Sequence, residues 1–441
     1  MSAAAVRRHF SLETAVRPHT LLLVGACLSL LAWAIPWGGA IPAVLRGFVV
    51  ETPWTLHGAL FLVGWYAFFF AVAIGGFMLG RRIPVLQRAE RVPWESYYVY
   101  LSILSLLGTV YAYVYVFAKS PHAISAAFLH HQFNAVRYVL PYSSGPQTLR
   151  YAATLAGAIA IFELGRGHFR ALHVLNVLLL LFAAAIASRA SLIIAAIAVA
   201  GLAARRVHEA RVSMRRVVGV LLLGLVVLFL GLSLLSYSRS ADFYHAYNVR
   251  NPLVMNVDEM VRYLGIPFQA AVAVSNNVDK WPVAPASAGP GTRVFLLPTY
   301  AGKHVPASVS RGETRYEKVV AVPATQTTNS VLALAYGVFG VLSFVVLGLA
   351  VLVACVIAGH ASRYRSYVFL ASLVVAYCLA EWWRTYVLNQ GIVQFLILVL
   401  ALWAVLGASV EDWTGGRWGR FTRAVAAERP RRGSPPAPPR T

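Results

Sequence analysis

The chain has 441 residues, of which 59% are hydrophobic and only 12% are charged. Soluble domains average about 25% charged residues, so this composition excludes an ordinary soluble protein and indicates one embedded in a membrane. The net charge of +22 comes from arginines that cluster in short segments between apolar runs. That distribution is typical of the cytoplasmic loops of membrane proteins, so we expect membrane lipid, and no nucleic acid, as a partner.

Apolar runs long enough to cross a bilayer recur along the chain, since about 20 residues span its hydrocarbon core. We therefore predict an all-α polytopic membrane protein. The ten predicted spans cover residues 19–36, 56–80, 97–118, 148–164, 171–187, 190–204, 216–236, 330–357, 366–382 and 386–407. This divides the chain into seven transmembrane helices over 1–236, a large loop over 237–329, three further helices over 330–407 and a tail over 408–441.

The basic segments between the spans predict an orientation, because loops rich in Lys and Arg stay in the cytoplasm. With the amino terminus in the cytoplasm, the cytoplasmic segments are the basic ones, namely 81–91, 165–170, 204–216, 360–365 and the tail from 408. We expect a multi-pass protein of the bacterial inner membrane with both termini cytoplasmic. The end of the tail, 428–441, is rich in Pro and Arg and is predicted to be disordered.

The tetrapeptide "SRAS", residues 188–191, places Arg189 in the middle of an apolar stretch. An arginine at the bilayer centre costs about 2.5–3.5 kcal/mol on insertion scales. The segments on both sides of 171–204 are predicted to be cytoplasmic, so the chain crosses twice between them and Arg189 lies at the outer tip of a hairpin. The same argument places Glu381 and Arg384 of "EWWRTY" (381–386) at the outer tip of a second hairpin.

The large loop over 237–329 is predicted to be periplasmic, on the outer side of the inner membrane. Within it, "NVDEMVRYLGIPFQAAVAV" (256–274) has a helical spacing that puts apolar residues on one face, namely Val257, Met260, Val261, Leu264 and Phe268. We expect this amphipathic helix to lie against the membrane or against the helix bundle. Residues 119–147 are predicted to form a second, smaller outer element.

Ionisable residues are almost absent from the middle of the predicted spans, whereas proton-coupled transporters keep Asp, Glu or His there. The chain also lacks a glycine-rich phosphate loop, an H-E-x-x-H zinc motif, a G-x-S-x-G elbow and a D-x-D pair. The three cysteines all lie in apolar runs, so neither a disulfide framework nor a metal site is expected. The polar outer side therefore favours an enzyme at the outer membrane surface over a carrier.

Arginines are prominent on the outer side, and a guanidinium binds phosphate through two parallel hydrogen bonds at any working pH. We predict that they bind the diphosphate of a lipid-linked substrate in place of a metal ion, so that the enzyme needs neither metal nor cofactor. Headgroup contacts of Arg189, and an i, i+3 pair of Arg384 with Glu381, are the structural alternatives. The candidate ligands are Arg189, Arg239, Arg293, Arg311 and Arg384, and further outer arginines are Arg250, Arg262 and Arg315.

Such a transferase also needs a general base that deprotonates the acceptor hydroxyl group. The catalytic candidates in the large loop are His304, Asp242 and Glu313, and the smaller outer element adds His130 and His131 with lower rank. Aromatic residues are able to stack on sugar rings, although aromatic belts at the membrane interface are commoner. The aromatic candidates are Trp281, Tyr263 and Tyr300.

Three segments carry a resemblance to a known family. The run "TQTTNSVLALAYGVFGVLSFVVLGLAVL" (325–352) leaves the large loop and enters a helix through Thr328, Asn329, Tyr336, Gly337 and Gly340. The other two are "YLGIPFQAAVAVSNN" (263–277) and "IASRASLIIAA" (186–196). Together they resemble the O-antigen and oligosaccharide repeat unit polymerases, although a glycine after the arginine is more usual than "SRAS". By residue type, Gly337 and Gly340 are predicted to help membrane helices pack.

The resemblance implies a class C glycosyltransferase-like fold with a periplasmic site. It implies transfer of a glycan from undecaprenyl diphosphate to the non-reducing end of a fresh lipid-linked repeat unit. Donor and acceptor are then both undecaprenyl-diphosphate-linked glycans, and a chain-length regulator and a flippase of the same pathway are the further partners that it suggests. Two alternatives stay open, namely an O-antigen ligase that transfers the same donor glycan to lipid A core, and a polysaccharide flippase or exporter.

Overall fold

A computed structural model describes much of the chain, and every structural statement below refers to that part. The described residues are 12–35, 49, 52–129, 134–140, 145–187, 189–210, 229, 233, 244–246, 248–280, 292–293, 295–297, 330–414 and 416–426. The predicted span 216–236 therefore lies outside the described residues except at two positions.

The described residues form α-helices and short 3₁₀ turns, with no β-strand among them. The helices before the large loop are α1 (Leu12–Ala15), α2 (Pro18–Ala34), α3 (Leu56–Arg82), α4 (Gln87–Glu90), α5 (Trp94–Lys119), α6 (Pro121–Leu129), α7 (Asn134–Val139), α8 (Ala152–Gly165), α9 (Ala171–Ala187) and α10 (Arg189–Ala210). Those that follow are α11 (Pro252–Ser275), α12 (Val331–Phe339), α13 (Leu342–Ala361), α14 (Leu370–Ala380), α15 (Gly391–Trp413) and α16 (Arg417–Ala426). The 3₁₀ turns are Gly145–Tyr151, Val278–Lys280 and Tyr367–Phe369.

Four of these helices, α3, α5, α13 and α15, are apolar and long enough to cross a membrane, with 27, 26, 20 and 23 residues. Helices α2, α9 and α14 are apolar but shorter. The prediction of a helical, membrane-embedded protein is therefore confirmed. The count of ten spans and the periplasmic position of the large loop stay predictions.

Glycines allow two neighbouring helices of the core, α3 and α13, to approach closely. A methyl group on Gly80 would collide with the carbonyl oxygen of Val356, and one on Gly359 would collide with the carbonyl oxygen of Phe77. Small residues are used in this way between membrane helices, because close backbones gain van der Waals contact. The glycines thus bring the backbones of α3 and α13 into close contact.

The predicted span 330–357 is broken at Gly340. Helix α12 ends at Phe339 and α13 begins at Leu342, and Gly340 between them has φ 56° and ψ −135°. A side chain would strain that left-handed backbone, so glycine is required there. Gly337 and Gly340 are both buried, and the packing role predicted for them stays a prediction.

The connection between α14 and α15, residues 381–390, lies deep in the bundle. Its Trp382 ring contacts the ring of Phe69 at a centroid distance of 4.7 Å. Phe69 is the middle residue of α3, with 13 residues on either side. The prediction that this hairpin has its tip at the outer surface is therefore wrong, because α14 stops half-way along a full-length candidate span.

A second segment ends at a similar depth. The 3₁₀ turn Gly145–Tyr151 packs against α5 at Gly108, which lies 14 residues from the start of α5 and 11 from its end. A methyl group on Gly108 would collide with the backbone nitrogen of Arg150. Non-helical backbone at membrane depth occurs only where protein or a water-filled cavity surrounds it, so we expect neighbouring helices to shield both segments from lipid.

Candidate active site

Helix α11 is the loop helix that builds one wall of this site. Asn251 caps its start by accepting a hydrogen bond from the backbone nitrogen of Leu253 at 2.9 Å. Every residue from Gly265 to Ser275 is buried, so this half enters the bundle instead of lying on its surface. At the far end, the Asn276 side chain accepts from the Thr55 hydroxyl at 2.9 Å, which ties α11 to the start of α3.

The first half of α11 buries charged residues in place of the predicted apolar face. Met260 is 42% exposed, while Asp258 and Glu259 are only 3% and 7% exposed. The predicted contact of this apolar face with the membrane or the bundle stays a prediction for this half of the helix. A buried carboxylate is unfavourable unless it is paired and hydrogen-bonded, and the partners of Glu259 explain its burial.

Glu259 accepts hydrogen bonds from two neighbours. The Arg262 Nη2 atom donates to its Oε2 at 2.5 Å, and the Tyr244 hydroxyl donates to the same oxygen at 2.9 Å. Burial and the carboxylate of Glu259 raise the pKa of Tyr244, so this phenol stays protonated and remains a donor. The cluster fixes the first half of α11 relative to the chain at 244.

The next residue of α11, Tyr263, contacts the deep connection between α14 and α15. Its hydroxyl donates to the Glu381 carboxylate at 3.0 Å and 3.2 Å. The Arg384 Nε atom donates to Glu381 Oε2 at 2.9 Å, and the guanidinium lies 3.9 Å from the centre of the Tyr263 ring. We call Tyr263, Glu381 and Arg384 the central cluster. It joins two segments that lie 118 residues apart in the sequence.

The guanidinium of Arg384 is held in one orientation by Glu381, and only one of its three nitrogens makes this hydrogen bond. Its Nε atom binds Glu381, and among the described residues its two terminal nitrogens have no hydrogen-bond partner. The side chain keeps 19% of its surface exposed, whereas that of Glu381 keeps 6%. A guanidinium stays protonated at any working pH, and Glu381 lies beside it. Arg384 therefore presents a charged pair of donors that suits a phosphate oxygen pair.

A buried arginine of a different kind lies in the 3₁₀ turn against α5. Arg150 is 6% exposed, and its Nη1 atom donates to the backbone and side-chain oxygens of Gln147 at 3.0 Å and 3.2 Å. Its guanidinium lies 4.8 Å from the centre of the Tyr151 ring. No carboxylate within the described part of the chain pairs with it, and its Nε atom has no hydrogen-bond partner there. Within the described residues, Arg150 therefore carries a positive charge with no carboxylate to compensate it.

The structure places the other predicted diphosphate ligands as follows. Arg293 is exposed, two residues before Phe295, whose ring packs 5.3 Å from that of Tyr386 in the deep connection. Arg189 is the first residue of α10, directly after α9, and its side chain lies outside the described part. Arg239 and Arg311 also lie outside it, as do Arg315, Thr328 and Asn329.

The predicted general bases and most of the aromatic candidates are not in the described part of the chain. These are His304, Asp242, Glu313, His130, His131, Trp281 and Tyr300. Their roles stay predictions. Among the described residues, no group of three or more His, Cys, Asp or Glu side chains is placed to hold a metal ion.

Two buried charged residues, Arg150 and Glu259, were missed by the sequence analysis. Arg150 lies inside the predicted span 148–164. An arginine within a span is costly, so the argument made for Arg189 could also have identified Arg150. Glu259 stands three residues before Arg262, a spacing that predicts an ion pair on a helix. The expectation that ionisable residues are almost absent from the middle of the predicted spans stays a prediction, since Glu381 and Arg384 lie where the predicted spans 366–382 and 386–407 meet, inside the helix bundle.

Comparisons with known proteins do not identify a family for this chain. No protein family, no curated protein and no solved structure shows significant similarity to the chain. The assignment of function therefore depends on the chemistry of the site and on the sequence motifs described above.

Proposed function

We propose that the protein polymerises undecaprenyl-diphosphate-linked oligosaccharide repeat units into O-antigen or exopolysaccharide at the periplasmic face of the bacterial inner membrane. The observation that carries the proposal is the central cluster. It brings the loop-helix motif that begins at Tyr263 into contact with the Arg384 segment, and it leaves the terminal nitrogens of that arginine without a partner among the described residues. An oriented guanidinium in a protein interior is a strong ligand for a diphosphate.

The proposed reaction is a single glycosyl transfer. The acceptor hydroxyl oxygen forms a bond to the anomeric carbon of the donor glycan, and the bond from that carbon to the diphosphate oxygen breaks. Undecaprenyl diphosphate leaves with the electron pair, and Arg384 and Arg150 stabilise the negative charge that develops on it. The hydroxyl proton goes to a general base, for which His304, Asp242 and Glu313 stay the candidates.

In this scheme Glu381 and Tyr263 are positioning residues. The Glu381 carboxylate is buried and already accepts hydrogen bonds from Arg384 and Tyr263, so it orients the guanidinium instead of removing a proton. A guanidinium held in advance loses less side-chain entropy when the diphosphate binds. The same arrangement serves an O-antigen ligase, because the two enzymes share the donor and differ only in the acceptor.

The position of charged residues inside the bundle is also compatible with the exporter alternative. Charged residues at the depth of the middle of α3 are typical of transport pathways as well as of intramembrane active sites. The two classes differ in their product, since an exporter moves finished glycan and an enzyme makes a new glycosidic bond. Purified protein with lipid-linked repeat units separates them, because only a polymerase lengthens the glycan.

The decisive variant is Arg384→Lys. Lysine keeps the charge, but its single ammonium group cannot bind Glu381 through one nitrogen and a diphosphate through two others. Loss of one charge-assisted contact is worth roughly 1.5–3 kcal/mol, so we expect polymer formation to fall about ten- to a hundredfold. Chain length is measured on gels with purified protein in excess chelator, and Tyr111→Phe, an exposed position on α5, serves as the control.

Near-normal polymer in Arg384→Lys would contradict the role of this site in binding the donor. A deletion strain tests the assignment separately. Retention of one repeat unit without long chains indicates a polymerase, loss of every repeat indicates a ligase, and an unchanged glycan excludes both. Complete, metal-reversible inhibition by the chelator would overturn the proposal that arginines replace a metal.

A further inference from the structure

Helix α16 is attached to the starts of two other helices. The Trp418 Nε1 atom donates a hydrogen bond to the Ser96 hydroxyl at the start of α5, at 2.9 Å. Near the other end of α16, Arg170 Nη1 donates to the carbonyl oxygen of Val425 at 3.3 Å, and Arg170 directly precedes α9. Helix α16 therefore bridges the starts of α5 and α9.

The starts of α5 and α9 lie at the same end of the bundle. Near these starts, the Tyr98 hydroxyl of α5 is 2.7 Å from Nδ1 of His173 in α9. The segments that lead into the two helices, 81–91 and 165–170, are basic, so this end is the one predicted to be cytoplasmic. A helix that bridges two helix starts at one end of the bundle lies across that end, close to the plane of the membrane surface.

The turn from α15 into α16 fixes how α16 is rotated about its own axis. Gly416 has φ 76°, a left-handed conformation that suits glycine. The Thr414 hydroxyl accepts a hydrogen bond from the backbone nitrogen of Trp418 at 3.2 Å, and the Glu411 carboxylate accepts from that of Gly419 at 2.8 Å. With its first turn capped in this way, α16 presents a defined set of side chains to its surroundings.

The apolar side of α16 is only partly covered by protein. Trp418, Phe421, Thr422 and Val425 follow the i, i+3, i+4, i+7 spacing of one helix face. Thr422 is buried and Trp418 packs on α5, whereas Phe421 is 53% exposed and Val425 is exposed as well. Phe169, which is 80% exposed, directly precedes the arginine that binds Val425. An exposed apolar edge thus runs along α16 at the end of the bundle.

The opposite side of α16 is basic. Arg417 and Arg420 are exposed, and within the described part of the chain neither forms an ion pair. The carboxylates just before α16 are engaged elsewhere, since Glu411 caps the helix and Asp412 lies 3.6 Å from Arg88. A helix with an apolar edge and exposed arginines matches a membrane surface, where apolar acyl chains adjoin negative headgroups.

We propose that α16 is an interfacial helix that binds anionic phospholipid in the cytoplasmic leaflet. Phe421, Val425 and Phe169 contact the upper part of the acyl chains, and Arg417 and Arg420 bind the negatively charged headgroups. This surface is remote from the proposed glycosyl transfer, so it can be tested without any glycan substrate.

The test places a nitroxide spin label on Phe421→Cys or on Arg420→Cys, in full-length protein without Cys27, Cys355 and Cys378. The protein is reconstituted into vesicles of phosphatidylglycerol and phosphatidylcholine, and the label is exposed to oxygen, which concentrates in lipid, or to a water-soluble nickel chelate. We expect the Phe421 label about 5–10 Å below the phosphate level and the Arg420 label, on the basic side, in water. Val425→Cys is a second position on the apolar edge and should behave like Phe421→Cys.

Equal access of the nickel chelate to the Phe421 and Arg420 labels would overturn the proposal, because the apolar edge would then face water. A Phe421 label shielded from both reagents would overturn it too, since protein and not lipid would cover that edge. Vesicles of phosphatidylcholine alone should move the Phe421 label toward water, and combining Arg417→Gln with Arg420→Gln should abolish this dependence on the lipid. A label depth that is the same in both lipids without these substitutions would overturn the binding of anionic headgroups.

Discussion

The guanidinium groups of Arg150 and Arg384 lie inside the helix bundle under different electrostatic conditions. Arg384 has the carboxylate of Glu381 beside it, whereas Arg150 is satisfied in the described part of the chain only by neutral groups of Gln147 and Tyr151. An unpaired buried charge costs several kcal/mol of desolvation. A protein that needed Arg150 only for stability would gain by replacing it, which is why a ligand that neutralises it is the better explanation.

At this scale the prediction concerns Arg150→Gln. Glutamine keeps hydrogen-bonding groups and removes the uncompensated charge, so the melting temperature should stay the same or rise. Polymer formation should nevertheless fall about ten- to a hundredfold, because one contact to the diphosphate is lost. Thermal unfolding and chain-length gels on the same preparation give both values. A lower melting temperature with unchanged activity would assign Arg150 to structure alone.

The spacing of residues along the sequence predicts some of these contacts but not others. The pairs Glu381–Arg384 and Glu259–Arg262 follow from i, i+3 spacing, and Arg150 stands out once a predicted span is seen to contain it. The bond from Tyr263 to Glu381 could not be predicted, because the partners are 118 residues apart and only the packing of α11 brings them together.

At the scale of the elements, hydropathy predicts the long apolar helices closely, but it does not predict where helices end. The predicted spans 56–80 and 97–118 agree with α3 and α5 to within a few residues. The break at Gly340 and the early end of α14 at Ala380 depend on tertiary contacts that apolar composition does not encode. A run of Leu, Val and Ala is compatible with a full crossing and with a half crossing alike.

The element-scale prediction concerns the approach of the 3₁₀ turn to α5. Gly108→Ala places a methyl group against the backbone of Arg150 and should cost about 1–3 kcal/mol of stability, as overpacking does. Gly75→Ala is the matched control, because nothing lies within 4 Å of its added methyl group. That variant should be neutral or slightly stabilising, as alanine favours helix over glycine by up to about 1 kcal/mol. Equal melting temperatures for the two variants would refute the close approach.

For the whole molecule, the open question is which end of the bundle faces the cytoplasm. The distribution of arginines predicts that the 237–329 loop is periplasmic and the 408–441 tail cytoplasmic. Single cysteines at Ser287 and Ser434, in a chain without Cys27, Cys355 and Cys378, test this in intact cells. A reagent that cannot cross the inner membrane should label only the first position. Equal labelling of both would contradict this topology and, with it, the proposed periplasmic reaction.

The shortness of α14, the first helix of the α14–α15 hairpin, bears on how the protein enters the bilayer during synthesis. The stretch Tyr367–Ala380 has fewer than 18 residues and is followed at once by Glu381 and Arg384, so it partitions poorly into lipid alone. Two of the helices that pack against it, α2 at Gly25 and α10 at Gly201, are made earlier by the ribosome. We therefore expect the translocon to release this hairpin into a cleft that is already lined by protein. The amino-terminal half must then be inserted and packed before the carboxyl-terminal half can enter the membrane.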